Sequence, residues 1–419
     1  MDTPSPPSFR TDAGAGQFEL VAALAHAVDL GASDIHLKAG NHPLMRLHGA
    51  LVPLSDAVEP LTPRETEQIL HMVATASKIE KFESTHELDL AYTAPGVGRF
   101  RVNAYQQRGS IALVFRAVPR HIRTVKQLGL PDVLLRLGEE ENGIVLVTGT
   151  TSSGKSTTMA AVIEHVNQTM CKHIVAIEDP IEFIHHDAMS SVDQREVGTD
   201  TESFKGALRQ VLRQDPDIIF IGEMRDEETV RTALSAADTG HLVLATLHTV
   251  DAPETIGRIV DFFPGREQQQ ARVQLADTLK GIVSQRLVPS VDRKSRTPIT
   301  EVMLMTGRVH DMIIDSTQTG RLTDVIAEGS YYGMHTFDQA LCELVLAGTV
   351  TIEDALRHAT RPTDLELLVR AGGQSHPSMD DLPPPPQAVV GTHPDELAND
   401  KGNPTNPEQA RRDAVAFRQ

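Results

Sequence analysis

The segment GIVLVTGTTSSGKSTTM, residues 143–159, decides the fold and the chemistry of this chain. Residues 144–147 form a continuous apolar run between Gly143 and Gly149, which is typical of a buried parallel strand. The next part, GTTSSGKS at 149–156, matches the phosphate-loop pattern G-x-x-x-x-G-K-[ST] and precedes a predicted helix. This context disfavours a chance match in a polar turn. The sequence therefore predicts a P-loop that binds ATP or GTP together with Mg²⁺.

Each residue type in this loop has a physical role in holding phosphate. The glycines let backbone N–H groups curl around phosphate oxygens, and the positive end of the following helix attracts the same anion. Lys155 would place its charge near the β and γ phosphates, and Ser156 would bind Mg²⁺. The predicted nucleotide-binding residues are Gly149, Thr150, Thr151, Ser152, Ser153, Gly154, Lys155, Ser156 and Thr157.

The pattern around the loop predicts an α/β fold. Further strands are predicted at 174–178, 217–222 and 241–249, and helical stripes separate them. Strands that alternate with helices imply a parallel sheet with helices on its faces. From about residue 250 to about residue 370 the pattern is largely helical.

Composition divides the rest of the chain. A small α+β domain is predicted at 16–118, a connector at 119–136 and the large domain, with a helical C-terminal part, at 137–370. The polar, Pro-rich ends at 1–15 and 371–419 are predicted to be disordered.

Bulk properties narrow the class of protein. The sequence lacks both a run of roughly 18 apolar residues and a signal-like N-terminus, so a cytoplasmic location is expected. The net charge of -18 and the aromatic share of 4% argue against nucleic acid as a partner. Cys171 and Cys342 are too few for a four-ligand zinc site and are interpreted as buried thiols.

Two acids follow predicted strands, where the carboxyl ends of a parallel sheet line the ligand crevice: Glu178 and Glu223. Hydrolysis needs one carboxylate that deprotonates or positions water, and Glu178 is the favoured base. Glu223 is expected to hold the Mg²⁺ shell, and the reverse assignment stays open. Asp179 and Glu182 are interpreted as solvated loop acids.

Histidines and arginines complete the candidate set. His241 and His248 lie seven residues apart on a strand, hence on opposite faces, which disfavours a joint metal site. His248 follows the strand end where a γ-phosphate sensor would lie, although a structural histidine is an equal alternative. Arg101 and Arg116 of the small domain are either solvated residues or an arginine finger that reaches a neighbouring subunit's nucleotide.

Four segments together resemble the secretion and pilus ATPase superfamily, and specifically its PilT/PilU-like type IV pilus retraction branch, over residues 16–360. They are TGTTSSGKSTT at 148–158, AIEDPIEF at 176–183, the stretch from QREVG to GEMRD at 194–226, and TGHLVLATLHT at 239–249. The resemblance implies a PAS-like small domain, a RecA-like core and a homohexamer with nucleotide between the two domains near a subunit interface.

The resemblance also implies roles for individual residues. It assigns 149–156 to the Walker A loop, Glu178 and Asp179 to the Asp box, Glu223 to Walker B, His241 and His248 to the His box, and Arg101 and Arg116 to the γ-phosphate.

The implied function is a motor that hydrolyses ATP to drive pilus retraction in twitching motility. Its implied partners are an inner-membrane pilus platform protein and paralogous pilus ATPases, which would place it at the inner face of the membrane. The missing tetracysteine insertion, and the lack of room for an extra domain before residue 16, favour retraction over extension.

Within that branch, TGRVHDMIID at 306–315 replaces the AIRNLIRE-like segment of retraction motors, and MHTFDQAL at 334–341 is similar to the PilU-type accessory paralogue. An accessory ATPase that depends on a partner motor therefore stays open. A RecA-like nucleic-acid motor and a nucleotide-gated scaffold are further alternatives.

Overall fold

The structure of the chain is a computed structural model that describes residues 9–10, 18–119, 121–293 and 295–372. Most of the two segments predicted to be disordered, 1–15 and 371–419, lies outside these residues. Phe9 and Arg10 are an exception, because Phe9 is buried in the first core and Arg10 pairs with Glu65 at 3.0 Å. At these two positions the chain is packed and not disordered.

Within the described residues up to 119, six strands form an antiparallel sheet that packs against helices. The elements are α1 (Leu20–Asp29), β1 (Asp34–Lys38), β2 (Leu44–Leu47), β3 (Ala50–Pro53), α2 (Pro63–Val73), α3 (Ala76–Thr85), β4 (Glu87–Ala94), β5 (Gly98–Gln107) and β6 (Ser110–Ala117). The strand order is β3-β2-β1-β6-β5-β4. Along β5, Phe100, Val102 and Ala104 point into the core, the alternation expected when one face of a sheet is packed.

The described residues after 120 form a second sheet of seven strands with helices on both faces. The elements up to β11 are α4 (Val125–Leu128), α5 (Val133–Gly138), β7 (Gly143–Thr148), α6 (Lys155–Thr169), β8 (His173–Glu178), β9 (Ser191–Glu196), α7 (Phe204–Val211), β10 (Ile218–Ile221), α8 (Glu227–Asp238) and β11 (Leu242–Leu247). The later elements are α9 (Ala252–Asp261), α10 (Gln268–Thr278), β12 (Leu279–Pro289), β13 (Arg296–Leu304), α11 (Gly307–Ile314), α12 (Leu322–Glu328), α13 (Phe337–Leu346), α14 (Ile352–His358) and α15 (Pro362–Arg370), with short 3₁₀ turns at Thr319–Arg321 and Ser330–Tyr332.

The second sheet has the order β13-β12-β7-β11-β10-β8-β9, and all of its strands are parallel except β13. Each residue of β7 is buried. Ile144 and Leu146 face one apolar core and Val145 and Val147 face the other, so helices cover both sides of the strand. The predicted α/β class is confirmed.

The region after residue 250 differs from its prediction as largely helical. β12 and β13 pair there over nine residue positions as an antiparallel extension of the sheet. β12 lies between two strands and is buried for most of its length, so it lacks the polar and apolar alternation that would identify it. The polar edge strand β9 also escaped prediction, because SVDQRE carries little β propensity.

The structure also bears on the sequence interpretations of segment 119–136 and of the two cysteines. Segment 119–136, predicted as a connector, contains α4 and the start of α5, and Leu130, Val133 and Leu134 pack in the core beneath α6. Cys342 is buried as expected, whereas Cys171 is exposed, so its interpretation as a buried thiol is wrong. Among the described residues, every helix is too short or too polar to cross a bilayer.

Candidate nucleotide-binding site

A cavity of about 940 Å³ opens at the carboxyl ends of β7, β8, β10 and β11. This edge is where ligands bind in open α/β sheets. The P-loop lines the cavity from Thr151 to Thr158, and strands of the first sheet contribute the facing wall. Six ionisable residues predicted from the sequence meet here: Arg101, Arg116, Lys155, Glu178, Glu223 and His248.

Glycine is required at both predicted positions of the loop. Gly149 and Gly154 have φ angles of 145° and 92°, in the region that favours glycine. A Cβ atom on Gly149 would lie 2.3 Å from the carbonyl oxygen of Gln285, and one on Gly154 would lie 2.7 Å from the Gln285 Nε2 atom. The loop therefore packs directly on β12, which leaves its other side open to a ligand.

Lys155 begins α6 and is held inside the loop with 8% of its surface exposed. Its Nζ donates to the carbonyl oxygens of Gly149 at 2.6 Å and Thr150 at 3.1 Å, and it lies 3.3 Å from Nδ1 of His248. Burial lowers the pKa of Lys155, while the charge of Glu223 opposes that effect. The ammonium group and the N-terminus of α6 thus present positive charge to one place.

Glu223 follows β10 and is held as a carboxylate. Arg225 Nε donates to Glu223 Oε2 at 2.8 Å, and His248 Nε2 lies 2.9 Å from Oε1. Burial disfavours the charge, but the hydrogen bonds from Arg225 and His248 and the charge of Arg225 outweigh burial and lower the pKa of Glu223. With Lys155 donating to His248 Nδ1, the Nε2 atom of His248 is the natural donor to this carboxylate.

Glu178 ends β8 in a different environment, with 9% of its surface exposed. Burial raises the pKa of its carboxyl to about 7, although Gln194 Nε2 donates to Oε1 at 3.0 Å and favours the charge. The neighbouring carboxylates of Glu182 and Glu196 raise the pKa further. A carboxyl that titrates near neutral pH is suited to exchange a proton during a reaction.

The two histidines are separated within the chain. His248 lines the cavity just after β11, whereas His241 precedes that strand and is absent from the cavity lining. The Nδ1 atom of His241 faces the carbonyl oxygen of Ala236 at 3.1 Å. A seven-residue step along an extended strand covers roughly 23 Å. The geometry of one chain therefore does not support the assignment of His241 to the same catalytic group.

Arg101 and Arg116 are cross-strand neighbours on β5 and β6, and both line the cavity of their own chain. Arg101 NH1 lies 3.5 Å from Glu182 Oε1, and Arg116 Nε donates to Asp34 Oδ1 at 2.8 Å. In this structure both arginines line the same cavity as the P-loop of their own chain, and the role of an arginine finger stays a prediction.

The Mg²⁺ ligands predicted from the sequence, Ser156 and Glu223, both line the cavity. Their hydroxyl and carboxylate oxygens are of the type that Mg²⁺ prefers. Within the residues that the structure describes, no three His, Cys, Asp or Glu side chains form a group that could hold a metal ion alone. The arrangement fits a Mg²⁺ ion that takes most of its ligands from phosphates and water.

Sequence reasoning missed two side-chain amides that support the site. Gln285 on β12 is 2% exposed, donates from Nε2 to the Ser153 carbonyl oxygen at 2.8 Å, and accepts from Thr158 Oγ1 at 2.7 Å. Gln194 on β9 holds Glu178. Neither strand was predicted, and a glutamine carries no local signal for a partner far along the chain.

Comparison with known proteins adds evidence independent of this geometry. A family model described as Type II/IV secretion system protein matches residues 14–357. The type IV pilus ATPase PilU of Pseudomonas aeruginosa is 41% identical over 348 residues, 83% of this chain and 90% of PilU. The type IV pilus retraction ATPase PilT of the same organism is 40% identical over 344 residues, 82% of this chain and 99% of PilT.

A crystal structure of the pilus retraction motor PilT with bound ADP is similar to this chain with a TM-score of 0.77. That chain is 43% identical, and the match covers 83% of this chain and 99% of PilT. The chain described here belongs to the type II/IV secretion system protein family.

Proposed function

We propose that this chain is a Mg²⁺-dependent ATPase whose hydrolysis of ATP to ADP and phosphate drives type IV pilus retraction. The observation that carries the proposal is the P-loop cavity, which Lys155, Glu178 and Glu223 line together, in a chain that matches 99% of the length of PilT. PilT and PilU are both described as type IV pilus ATPases, and the PilT crystal structure contains ADP.

In the proposed reaction, Glu178 accepts a proton from the attacking water. The water oxygen forms a bond to the γ-phosphorus while the bond to the β–γ bridging oxygen breaks. Glu178 is favoured over Glu223 because its carboxyl titrates near pH 7, whereas both oxygens of Glu223 are engaged by Arg225 and His248. His248 contacts both Lys155 and Glu223, which supports its role as a sensor of the γ-phosphate.

Positive side chains would stabilise the charge that develops on the transferred phosphoryl group. Lys155 would bind the β and γ phosphates from the loop, and Arg101 and Arg116 would approach from the first sheet. The remaining loop residues, 149–157, would bind phosphate through their backbone N–H groups. When bound, Mg²⁺ would neutralise phosphate charge, and Ser156 and Glu223 are the residues that would hold it.

The motor proposal requires a change of shape during the cycle. We interpret the first sheet as a PAS-like domain at 16–118, joined by the linker 119–136 to a RecA-like domain at 137–370. Ion pairs between the sheets, Arg99 with Glu196 at 2.9 Å and Arg101 with Glu182 at 3.5 Å, support a closure that nucleotide would regulate.

We further propose that six chains form a ring in the cytoplasm, at the inner face of the membrane, where it acts on an inner-membrane pilus platform protein. The net charge of -18 supports a protein partner and opposes a nucleic-acid partner. A DNA-stimulated ATPase activity would favour the RecA-like nucleic-acid motor instead.

A PilU-type accessory ATPase is the second candidate, and identities of 41% and 40% do not separate it from a PilT-type motor. The observation that favours it is the sequence of residues 306–315, where TGRVHDMIID replaces the AIRNLIRE-like segment of retraction motors. Deletion of the gene separates the two functions: loss of a motor should leave pili extended and abolish twitching, whereas loss of an accessory should weaken retraction without abolishing it.

Phosphate release by the purified full chain tests the proposed ATPase activity. Lys155→Ala should lower the rate by at least about a hundredfold, since it removes the charge that faces the phosphates. Lys81→Ala, an exposed lysine on α3, is the matched control and should keep the wild-type rate. A Lys155→Ala variant with wild-type turnover, or a folded wild-type chain without turnover, would reject the enzyme assignment.

A further inference from the structure

Both the nitrogen and the oxygen of the Gln194 side-chain amide, on β9, make hydrogen bonds. Its Nε2 atom donates to Glu178 Oε1 at 3.0 Å and to the Phe183 carbonyl oxygen at 2.8 Å, while its Oε1 atom accepts from the backbone N–H of His185 at 3.0 Å. Rotation of the amide by a half turn would place its oxygen against the acceptor oxygens of Glu178 and Phe183 and its NH2 group against the His185 N–H, and all of these bonds would be lost. The backbone after β8 therefore fixes which atom faces Glu178.

We propose that Gln194 is a positioning residue that holds the carboxylate of Glu178 in the orientation in which it accepts the proton of the attacking water. This inference rests on the proposed role of Glu178 as the base. Gln194 itself lies outside the cavity lining, so it acts through Glu178 and not on the nucleotide.

β9 is a firm support for this contact because it is tied to both sheets. Glu196, two residues from Gln194 and on the same face of the strand, accepts from Arg99 NH2 at 2.9 Å and from the Ile181 backbone N–H at 3.2 Å. The segment that follows Glu178 is therefore bound at two points to one strand. A catalytic carboxylate needs this kind of rigid backing, since small displacements cost large factors in rate.

The electrostatic effect of Gln194 can be separated from its positioning effect. Burial raises the pKa of Glu178 most strongly, and the N–H of Gln194 opposes this by favouring the charged form. Loss of the amide should therefore raise the pKa further. The charged groups that act on Glu178 from neighbouring elements are Glu182 in the following loop and Glu196 on β9, and Lys155, Glu223 and Arg225 line the same cavity.

The test is the dependence of kcat on pH from 5.5 to 9 for the full chain. Wild type should lose activity below pH about 7. For Gln194→Leu we expect this acid limb to move up by about one pH unit, with about a fivefold lower kcat at pH 7 and less than about a twofold change in KM for ATP. Part of the loss should remain at pH 9, where Glu178 is ionised but no longer held.

Asp193→Asn is the matched control on the same strand. Its side chain is 66% exposed, pairs with His173 and should leave the profile unchanged. Gln194→Glu keeps the acceptor for the His185 N–H and the side-chain shape, and it decides the question if Gln194→Leu does not fold. The Gln194→Glu variant places a second carboxyl group against Glu178, so the acid limb of its kcat profile should also move to higher pH.

An unmoved acid limb and unchanged kcat in a folded Gln194 variant would overturn the inference while leaving the ATPase proposal intact. The ATPase proposal fails on different results, namely a wild-type chain without turnover or a Glu178→Gln variant that hydrolyses ATP at the wild-type rate.

Discussion

Replacing Glu178 with Gln should abolish turnover and, at the same time, stabilise the chain at alkaline pH. The carboxyl of Glu178 is buried, and its pKa rises from 4.5 to about 7 on folding. Between these values the folded chain keeps a proton that the unfolded chain has lost. The stabilising contribution of this proton is complete below pH 4.5 and is lost as the pH rises through 7. The glutamine side chain does not titrate in this range, so the variant does not lose this part of its unfolding free energy as the pH rises.

The size of the effect follows from the shift. From pH 5 to pH 8, Glu178 should cost wild type about 2 to 3 kcal/mol of unfolding free energy that the Gln variant keeps. Other titrating groups are common to both chains and cancel when the variant is compared with wild type. The hydrogen bond from Gln194 can persist, since the side-chain oxygen of glutamine also accepts.

Urea denaturation of both full chains without nucleotide, at pH 5 and at pH 8, measures this difference. Glu202→Gln removes an exposed carboxylate that water solvates in both states, so its stability relative to wild type should stay constant. The reasoning is refuted if the gap between Glu178→Gln and wild type changes by less than about 0.5 kcal/mol between the two pH values. It is also refuted if the variant retains more than about a hundredth of wild-type turnover.

Two substitutions test other parts of the structure. Gly149→Ala would bring a methyl carbon within 2.3 Å of a backbone carbonyl oxygen of β12, so we expect loss of nucleotide binding and about 3 kcal/mol or more of destabilisation; a variant with wild-type affinity for ATP would contradict the loop geometry. Arg99→Ala leaves Glu196, whose side chain is 4% exposed, without its ion-pair partner, and should lower the unfolding free energy by roughly 2 kcal/mol in urea titrations. An unchanged midpoint would show that this contact between the two sheets contributes little.

The sequence predicted the parts of the site that depend on local order. A parallel strand places its carboxyl end at the same edge as its neighbours, so Lys155, Glu178, Glu223 and His248 could be expected to meet. His241 entered through resemblance and not through periodicity, and it lies at the other end of β11. The P-loop could be predicted from local sequence alone, because only six residues separate the end of β7 from the start of α6.

The supporting contacts could not be predicted because they join distant positions. Gln285 contacts the P-loop from β12, more than a hundred residues later, and that strand is buried on both sides and gives no alternating pattern. Gln194 reaches Glu178 from a polar edge strand. The orientation of Arg101 and Arg116 toward their own chain depends on how the first sheet packs against the second, which no single segment encodes.

Titration calorimetry with Mg²⁺ and a non-hydrolysable ATP analogue tests the nucleotide site most directly. We expect saturable binding to the wild-type chain. We expect the signal to disappear in Lys155→Ala, which removes the ammonium group held at the N-terminus of α6. Lys81→Ala should bind as wild type does. A folded wild-type chain that takes up no adenine nucleotide would contradict the account.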